Sequence, residues 1–556
     1  MDDRDRLKNK FEKSISEKDL SKYTHELGAN PDDNLVKHPI NITDIRKQNI
    51  LNSTIGSNSE LLNSENISFE RIECIQIEKK DEIKLIDKII SEYGYKIQII
   101  KIIIISFFLN FISNYILFHV SSNLLVLEKS FSSDLNMSTE NTGIFLSSIS
   151  YISKAIGCIS FIFLTKSFSR QTFITISLII IFALNVLVSV SFNLWTYLAF
   201  IILGCFCSGI IDPINSDVLC ETLPIRLRGF FMCVFSLGSP FSQTLHFIFL
   251  NKIYVESKGN FQEALFAGSF LILLLGLFII LFFEDSPRNL ILREDLIKAH
   301  SQLEKFLNPT RSLTDSEKNI LYTQMHYGLN NRLSKCISSI FSPLFLRTTL
   351  LFIGIVVCIK SIDDGMSAVL TLYIQKILGS NDDNLIGLEG IKINAFGMLG
   401  PIISGVLIEV KYLGRKLTLM ISAILLLLCY VLFQVNIANY ILWLGLLTVF
   451  CNSSTSNLVT LITETYPTIL RDISEGFFNC VSALGSLIGN LVFLSLFKLN
   501  NNAPFYFQIG NGFVSLILVF FIKYDTCQKQ LDVFTNNNDS EEENTNNERE
   551  ELKSLV

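Results

Sequence analysis

Long apolar runs dominate the middle of the chain and alternate with short polar segments. A transmembrane helix needs about 20 predominantly apolar residues. Runs of roughly this length occur at about 97–120, 142–164, 172–191, 194–219, 229–250, 262–283, 346–375, 391–409, 416–435, 439–463, 474–496 and 504–523. Six runs precede and six follow one long polar segment, which predicts an all-α membrane protein with twelve transmembrane helices in two pseudo-symmetric six-helix halves.

Composition separates these apolar halves from three polar regions. Hydrophobic residues make up 49% of the chain and charged residues only 18%, and both flanks are polar. Polar segments with too little apolar surface to bury remain disordered. We therefore expect a disordered cytoplasmic N-terminal tail at 1–96, an N-terminal half at 97–283, a cytoplasmic central loop at 284–345, a C-terminal half at 346–523 and an acidic, disordered cytoplasmic tail at 524–556.

Lys and Arg residues are unevenly distributed among the predicted loops. They accumulate on the side that would also carry both termini, and positive charge is retained on the cytoplasmic side of membranes. Both termini are therefore predicted to be cytoplasmic, in the plasma membrane or an internal organelle membrane. Asn136 lies in a glycosylation sequon of the first predicted external loop, so we expect glycosylation there.

One short motif occurs twice, as "ETLPIRLRG" from Glu221 and as "ETYPTILRD" from Glu464. Both copies follow the fourth predicted span of their half. Matched motifs at one offset are what a duplicated six-helix unit leaves behind. The Glu of each copy, with Arg228 or Arg471 after the proline, can form ion pairs that close the cytoplasmic side of a solute path between the halves.

These residues resemble the major facilitator superfamily over about 97–523. The doubled motif is similar to those after the fourth and tenth spans of sugar porters, organic-ion transporters and synaptic-vesicle-glycoprotein-like transporters. "FFEDSPRNL" resembles the end of their sixth span, and "GVLIEVKYLGRKLTL" resembles their loop after span eight. The resemblance implies alternating access through rocking halves, and it implies a cytoplasmic gate formed by Arg170, Glu221, Arg228, Glu284, Arg288, Glu409, Arg415, Glu464 and Arg471.

The first-half copy of that loop, "LTKSFSRQTF", departs from the family pattern. It retains Arg170 but lacks the glycines and the acidic residue that Glu409 provides in the second half. We call each copy of the doubled motif, together with the loop that faces it, a latch. We expect the first-half latch, with Arg228 and this loop, to be weaker than the second-half latch, with Arg471 and the Gly414-Arg415-Lys416 turn.

Charged residues inside predicted spans form the strongest candidate solute site, because such residues are costly in lipid and face a cavity or a partner. They are Lys154, Asp212, Lys360, Asp363 and Asp364. Lys360 can share a helical face with both aspartates of its span, and Asp212 is the expected partner of Lys154. Two interpretations stay open: self-neutralised pairs that stabilise the bundle, or a substrate or proton site. The coupling hypothesis places a proton on Asp212 or on the Asp363/Asp364 pair.

Uncharged polar residues form a second candidate set in the spans expected to line the cavity. Several are four apart and so lie on one helical face. The same stripes also arise from hydrogen bonds that only hold helices together. The candidates are Asn110, Asn114, Gln243, His246, Asn452, Ser456 and Asn457.

Motifs for other functions are absent from the sequence. It contains no phosphate-binding loop, no metal-ligand spacing, no nucleophile motif and no basic run suited to nucleic acid. We therefore predict a non-enzymatic, cofactor-free and metal-free carrier in the lipid bilayer, functional as a monomer, for a small polar organic solute such as an organic ion. Two alternatives remain: a hexose or polyol facilitator, and a non-transporting nutrient sensor or scaffold.

Overall fold

The computed structural model describes residues 89–90, 96–131, 139–165, 168–191, 193–249, 251–252, 261–293, 295–307, 339–378, 383–410, 412–435, 439–500, 502–523 and 525–526. The predicted tail before residue 89, the Asn136 sequon and the acidic tail from residue 527 lie outside the described residues.

Each predicted span coincides with a helix of the structure. The helices are α1 Lys96–Phe131, α2 Thr139–Leu164, α3 Arg170–Ser189, α4 Leu194–Thr222, α5 Arg228–Val234 and Gly238–Phe249 joined by a 3-10 turn, α6 Phe261–Phe282, α7 Pro343–Leu378, α8 Asp383–Gly397 and Leu399–Ile408, α9 Gly414–Val435, α10 Tyr440–Thr465, α11 Thr468–Leu499 and α12 Ala503–Phe520. The described residues contain no β-strand, so the predicted all-α fold class is confirmed.

Ten helical segments of the described chain are long and apolar enough to cross a membrane. The two predicted spans outside that set are α5 and α10. A 3-10 turn at Phe235–Leu237 divides α5 into pieces of 7 and 12 residues. In α10, the polar stretch "CNSSTSN" lowers the hydropathy of the helix.

Short polar residues set several helix boundaries at the ends of the spans. Ser169 precedes α3 in an extended conformation and accepts a hydrogen bond from the Thr172 backbone N–H. Ser286 and Asp295 cap two short helices of the central loop, Pro287–Leu292 and Leu296–Phe306, in the same way.

Large apolar side chains cover the outer surface of the helix bundle. Trp195, Phe270, Leu281, Leu428 and Phe513 are each between 50% and 76% exposed. Soluble proteins rarely expose apolar patches on this scale, whereas lipid tails solvate them. The buried core forms several clusters: one lies within the first half, and two consist mainly of second-half residues but also include Phe247 and Ile162 of the first half.

A close helix contact is repeated in both halves. A Cβ added at Gly157 of α2 would lie 2.1 Å from the carbonyl oxygen of Phe206 in α4. A Cβ added at Gly400 of α8 would lie 2.2 Å from the carbonyl oxygen of Val449 in α10. Both residues of the contact recur at the offset that separates the two motif copies. The duplication predicted from the motif therefore extends to backbone packing.

Among the described residues, the two halves meet most extensively where α2 packs against α11 and α5 against α8, and α4 also contacts α11 and α1 contacts α7. Small residues line part of the first pair, where Ala155 and Cys158 pack against Cys480 and Ala483. Small side chains let two helices approach closely without a void. This interface is where the sequence places the solute path.

Candidate functional site

The first-half charges form a buried pair near the middle of α2 and α4. Lys154 Nζ lies 2.7 Å from Asp212 Oδ2, and both side chains are 12% exposed. Ser113 of α1 donates a hydrogen bond to Asp212 and shares one of 2.7 Å with Ser208. The pairing expected from sequence is confirmed, and α1, α2 and α4 converge on one carboxylate.

The second-half charges form a matching group on α7. Lys360 Nζ lies 3.1 Å from Asp363 Oδ2 and 4.0 Å from Asp364 Oδ2. Thr455 of α10 donates to Asp363 at 3.2 Å, and Ser486 of α11 donates to Asp364. Each carboxylate therefore has both a cation and a hydroxyl donor.

The two charged groups face each other across the interface between the halves. Lys154 is close enough to Lys360 and Asp364 to interact with them electrostatically. Lys360 lines a cavity of about 40 Å³, and Asp363 lines another of about 20 Å³. A cavity of this size holds water but not an organic solute. Neither of these two cavities therefore has room for an organic solute.

The uncharged candidates do not form one site. Gln243 and Asn452 line the smaller cavity beside Asp363. Asn114 donates to the Asn110 carbonyl at 2.8 Å, within its own helix. His246 stacks on Tyr115 with ring centroids 3.9 Å apart, and its Nε2 lies 2.7 Å from the Tyr115 carbonyl oxygen.

The remaining two uncharged candidates lie elsewhere in α10. Ser456 bonds to the Ser453 carbonyl of its own helix at 3.1 Å. Asn457 donates to the Arg415 carbonyl at 2.8 Å, at the start of α9. We call the end of the bundle that carries Glu221 and Glu464 the motif end, and Asn457 contributes to its packing.

Arg170 is the centre of the motif-end network and is 1% exposed. Its Nη1 donates to Glu221 at 3.0 Å, and its Nη2 donates to Asp472 of α11 at 2.5 Å. The carboxylates of Asp217 and Asp285 lie 3.5 Å and 3.7 Å away. Four carboxylates from both halves therefore surround one guanidinium, whose planar fork suits such contacts.

Arg471 makes a second link between the halves. Its Nη1 lies 3.4 Å from Glu221 Oε1. The rest of the guanidinium donates to backbone carbonyls of its own half, to Thr463 at 3.0 Å and to Tyr466 at 3.1 Å. Arg228 repeats part of this pattern, because its Nη2 donates to the Leu223 carbonyl at 3.4 Å. Leu223 occupies the same place in the first motif copy as Tyr466 does in the second.

The second-half latch is built around Arg415. Its Nε and Nη2 donate to Glu464 at 2.9 Å and 3.0 Å, a bidentate pair. Glu409 accepts a hydrogen bond of 3.1 Å from the Phe230 backbone N–H, which lies across the interface in α5. Gly414 starts α9 at φ +59°, a conformation that favours glycine.

The start of the predicted C-terminal tail also contacts this second latch. Asp525 accepts a hydrogen bond of 3.1 Å from the Arg415 backbone N–H. Thr526 donates to Glu464 at 2.6 Å. The chain after α12 thus returns to the motif end before the described residues stop.

The first-half latch has an acidic partner after all, and the relative strength of the two latches stays a prediction. The acidic residue missing from the loop before Arg170 is replaced by Asp472, which comes from the other half. Thr165 also donates to Asp472, at 3.4 Å. The first latch therefore has two charged contacts across the interface, at Asp472 and, through Arg471, at Glu221.

Two gate candidates occupy the periphery of the network. Glu284 pairs with Lys305 at 2.7 Å and with Lys101 at 3.2 Å, not with a latch arginine. Arg288 is 5% exposed in the first central-loop helix. Next to it, burial raises the pKa of Asp285, although Arg170 opposes that shift. The central loop therefore extends the charged network beyond the spans.

Sequence reasoning missed three carboxylates: Asp217 and Glu475, which are buried, and Asp472, which is 20% exposed. Their exposed fractions are 0% for Asp217 and 2% for Glu475, and Asp472 bridges the halves. Asp217 and Glu475 lie within or just beside predicted spans, so the rule applied to Lys154 could have found them. The role of Asp472 depends on a contact between distant helices, and no local pattern reports that contact.

The model of the Major Facilitator Superfamily matches residues 103–489, which is more than half of the chain. The chain belongs to the Major Facilitator Superfamily. This membership, with the apolar helices and the buried charges between the halves, makes the protein an integral, multi-pass membrane transporter. The predicted resemblance is therefore confirmed. No curated protein matches the sequence.

Solved structures of other Major Facilitator Superfamily proteins share the fold. The proton:xylose symporter XylE bound to 6-bromo-6-deoxy-D-glucose has a TM-score of 0.64 at 15% identity, covering 79% of this chain and 98% of that one. XylE from E. coli in an inward-open conformation has a TM-score of 0.57 at 16% identity, covering 79% of this chain and 99% of that one. The human organic anion transporter MFSD10 has a TM-score of 0.53 at 14% identity, covering 76% and 99%.

Proposed function

We propose that this transporter carries a small, charged organic solute by alternating access, driven by a gradient of the solute or of protons. The observation that supports this most is the meeting of two Lys–Asp groups, one from each half, with a small cavity beside Asp363 that residues of both halves line. Buried ion pairs are costly, and a role in binding explains why several are kept at one level of the bundle.

The charges favour an organic ion over a neutral sugar as the solute. An anionic or cationic group can replace one partner of a Lys–Asp pair and keep the buried charges balanced. A hexose has no charge with which to replace either partner, so it would add a desolvation cost. Gln243, which lines the smaller cavity, is the residue that best supports the hexose or polyol alternative.

We propose that the motif end faces the cytoplasm and that both termini lie on that side, in the plasma membrane or an organelle membrane. The positive-inside rule supports this orientation, because the loops at this end are rich in Arg and Lys. In this orientation the Arg170 and Arg471 contacts close the cytoplasmic side. At the other end, Phe247 packs against Gly390 and Asn251 against Gly387, so the halves are also in contact there.

The relatives support transport of either class of solute. XylE is described as a proton:xylose symporter and MFSD10 as an organic anion transporter. Both share only the fold with this chain, at 15% and 14% identity. The proposal of a charged solute therefore rests on the Lys–Asp groups of this chain and not on these relatives.

The experiment is a ligand screen on the purified protein, followed by flux in liposomes. Organic anions, organic cations, zwitterions, hexoses and polyols are compared for their ability to raise the melting temperature, because a ligand that binds only the folded state stabilises it. We expect hits among the charged compounds and saturable flux of those hits. Hits confined to sugars would support the facilitator alternative, and binding without flux would support a sensor or scaffold.

The matched variants test where the solute binds. Lys154→Gln combined with Asp212→Asn removes the first-half pair without leaving an unpaired charge, and we expect it to abolish the ligand-induced rise in melting temperature. Lys392→Gln removes an exposed pair with Glu389 and should leave that rise intact. An unchanged ligand response in the double variant would exclude the first-half pair as a solute site. Light scattering on the same samples tests the proposed monomer.

A further inference from the structure

We propose that Glu475 is the proton-binding group of this carrier, a site separate from the Lys–Asp groups. The proposal rests on the proposed transport function and supplies the coupling step. The Glu475 carboxylate takes up a proton from bulk solution, relayed by water in the adjoining cavity so that no hydroxide is left behind, and it keeps that proton while the halves are closed. It releases that proton to bulk water when the halves separate at the motif end.

Glu475 lies in α11 between the two halves and is 2% exposed. Ser216 of α4, in the first half, donates to its Oε2 at 2.9 Å. Thr463 of α10 donates to its Oε1 at 2.6 Å, and Asn479 of α11 lies 3.4 Å from Oε2. The carboxyl group therefore has a hydrogen-bond partner on each half, and movement of the halves changes its surroundings directly.

No lysine or arginine of the described residues forms an ion pair with Glu475. Lys360 lines the same cavity, but its amine is bonded to Asp363 at 3.1 Å. Arg471 lies one helical turn earlier, and its guanidinium is engaged by Glu221 and by the Thr463 and Tyr466 carbonyls. The charged and titratable groups that surround Glu475 from its neighbouring helices are Asp217, Lys360, Tyr466, Arg471 and Asp472.

This environment differs from that of the aspartates first considered for coupling. Asp212, Asp363 and Asp364 each have a lysine nitrogen within 4.0 Å. The nearby lysine already balances the negative charge of each of these carboxylates, so the carboxylate needs no proton to be stable there. A buried carboxylate without a cation is costly in its ionised form, and protonation removes that cost.

Glu475 also has a route for proton exchange. It lines the cavity of about 40 Å³ together with Lys360, Thr455 and Asn479. That volume exceeds the 10–15 Å³, roughly, that one water requires. The cavity lies between the charged centre and the motif-end network. A proton on Glu475 can therefore respond both to the solute site and to the state of the latch.

The test is infrared difference spectroscopy of the lipid-reconstituted protein during a pH titration, which needs no solute. We expect a carbonyl band of a protonated carboxylic acid that titrates, shifts in D₂O and is absent from Glu475→Gln. The matched control, Asp217→Asn, changes a neighbouring buried carboxylate and should keep the band. Ser216→Ala removes one donor to the carboxyl group and should shift the band frequency, which keeps the assignment testable if Glu475→Gln does not fold.

A band that persists in Glu475→Gln, or that disappears only in Asp217→Asn, would overturn the proposal. Transport separates this result from the proposed function. For a solute identified by the ligand screen, Glu475→Gln should keep exchange of labelled for unlabelled solute and lose accumulation driven by a pH gradient. If the wild-type protein neither exchanges nor accumulates any solute, the proposed function fails, whereas the infrared assignment still stands or falls on its own.

Discussion

Single residues explain how the motif end closes. Arg170 has no acidic partner in its own loop, and Asp472 of the opposite half provides one at 2.5 Å. The equivalent acid of the second half, Glu409, instead reaches the Phe230 N–H of α5. Both latches therefore place an acid against the opposite half, although the acid comes from a loop in one case and from α11 in the other.

Asp472→Asn should weaken the closed motif end. The variant loses the charge that faces Arg170, and a hydrogen bond to a charged group contributes about 1.5–3 kcal/mol. Since about 1.4 kcal/mol is tenfold in an equilibrium constant, we expect a roughly tenfold or larger rise in opening. Cys233 reports it, because its buried sulfur lies 3.6 Å from both Ser404 and Thr460 of the second half.

The measurement is the rate at which an impermeant maleimide modifies Cys233, read by mass spectrometry of the labelled peptide. Asp295→Asn, at an exposed pair with Lys298 in the central loop, is the control and should label at the wild-type rate. Equal rates in Asp472→Asn and wild type would show that Asp472 does not hold the latch.

The Lys154–Asp212 pair makes a second prediction at the residue scale. Lys154→Gln alone leaves a buried aspartate without its cation, and breaking a buried pair in this way costs about 3–5 kcal/mol. The melting temperature of Lys154→Gln should fall clearly. Adding Asp212→Asn should restore most of it, and a double variant as unstable as the single one would contradict this account of the pair.

At the scale of helices, each half is held together by close backbone contacts. Gly157 and Gly400 bring α2 against α4 and α8 against α10. Neither position leaves room for a methyl group, because the atoms nearest to the added Cβ belong to backbone. Each half can therefore move as a rigid unit while the latch contacts between the halves change.

Gly157→Ala and Gly400→Ala should both destabilise the protein. Overpacking of this kind costs about 1–3 kcal/mol. Gly276→Ala in α6 is the matched control, since no atom lies within 4 Å of an added Cβ there and alanine favours a helix. Thermal unfolding in detergent compares the three variants, and a loss of stability in Gly276→Ala equal to the other two would refute the packing explanation.

The helices themselves were predictable from sequence, because about 20 apolar residues in a row specify a span whatever its neighbours are. The interruptions in α5 and α8 were not predicted. The 3-10 turn at Phe235–Leu237 has no proline or glycine within it, and the break in α8 falls at Met398. A Gly and a Pro follow each break, Gly238 and Pro240 in α5 and Gly400 and Pro401 in α8, and a proline removes the helical hydrogen bond to the carbonyl four residues earlier. The local sequence therefore contained a signal for both breaks that hydropathy alone does not show.

The candidate site was predictable only where its residues stand out locally in the sequence. A charge within an apolar run is visible in the sequence, so Lys154, Asp212 and the Lys360 group were found. Pairings between distant helices, such as Arg170 with Asp472, depend on how the halves approach each other. Glu475 was missed because it begins the eleventh span, beside charges assigned to the motif.

At the scale of the whole molecule, two similar halves enclose a charged centre and are linked by ion pairs at the motif end. Carriers of this kind alternate by rocking one repeat against the other around a central site. The described residues bring the halves together at both ends, and the cavities of about 40 Å³ and 20 Å³ beside the second-half charges are too small for an organic solute. A solute therefore requires the halves to separate before it can enter.

Flux in reconstituted liposomes tests the central proposal, transport of a charged organic solute, most directly. The solute is a charged hit from the ligand screen, and the protein is compared with Lys154→Gln/Asp212→Asn and with Lys392→Gln. We predict saturable uptake in wild type and in Lys392→Gln, and none in the double variant. Binding of charged solutes without any saturable uptake by the wild-type protein would contradict the account.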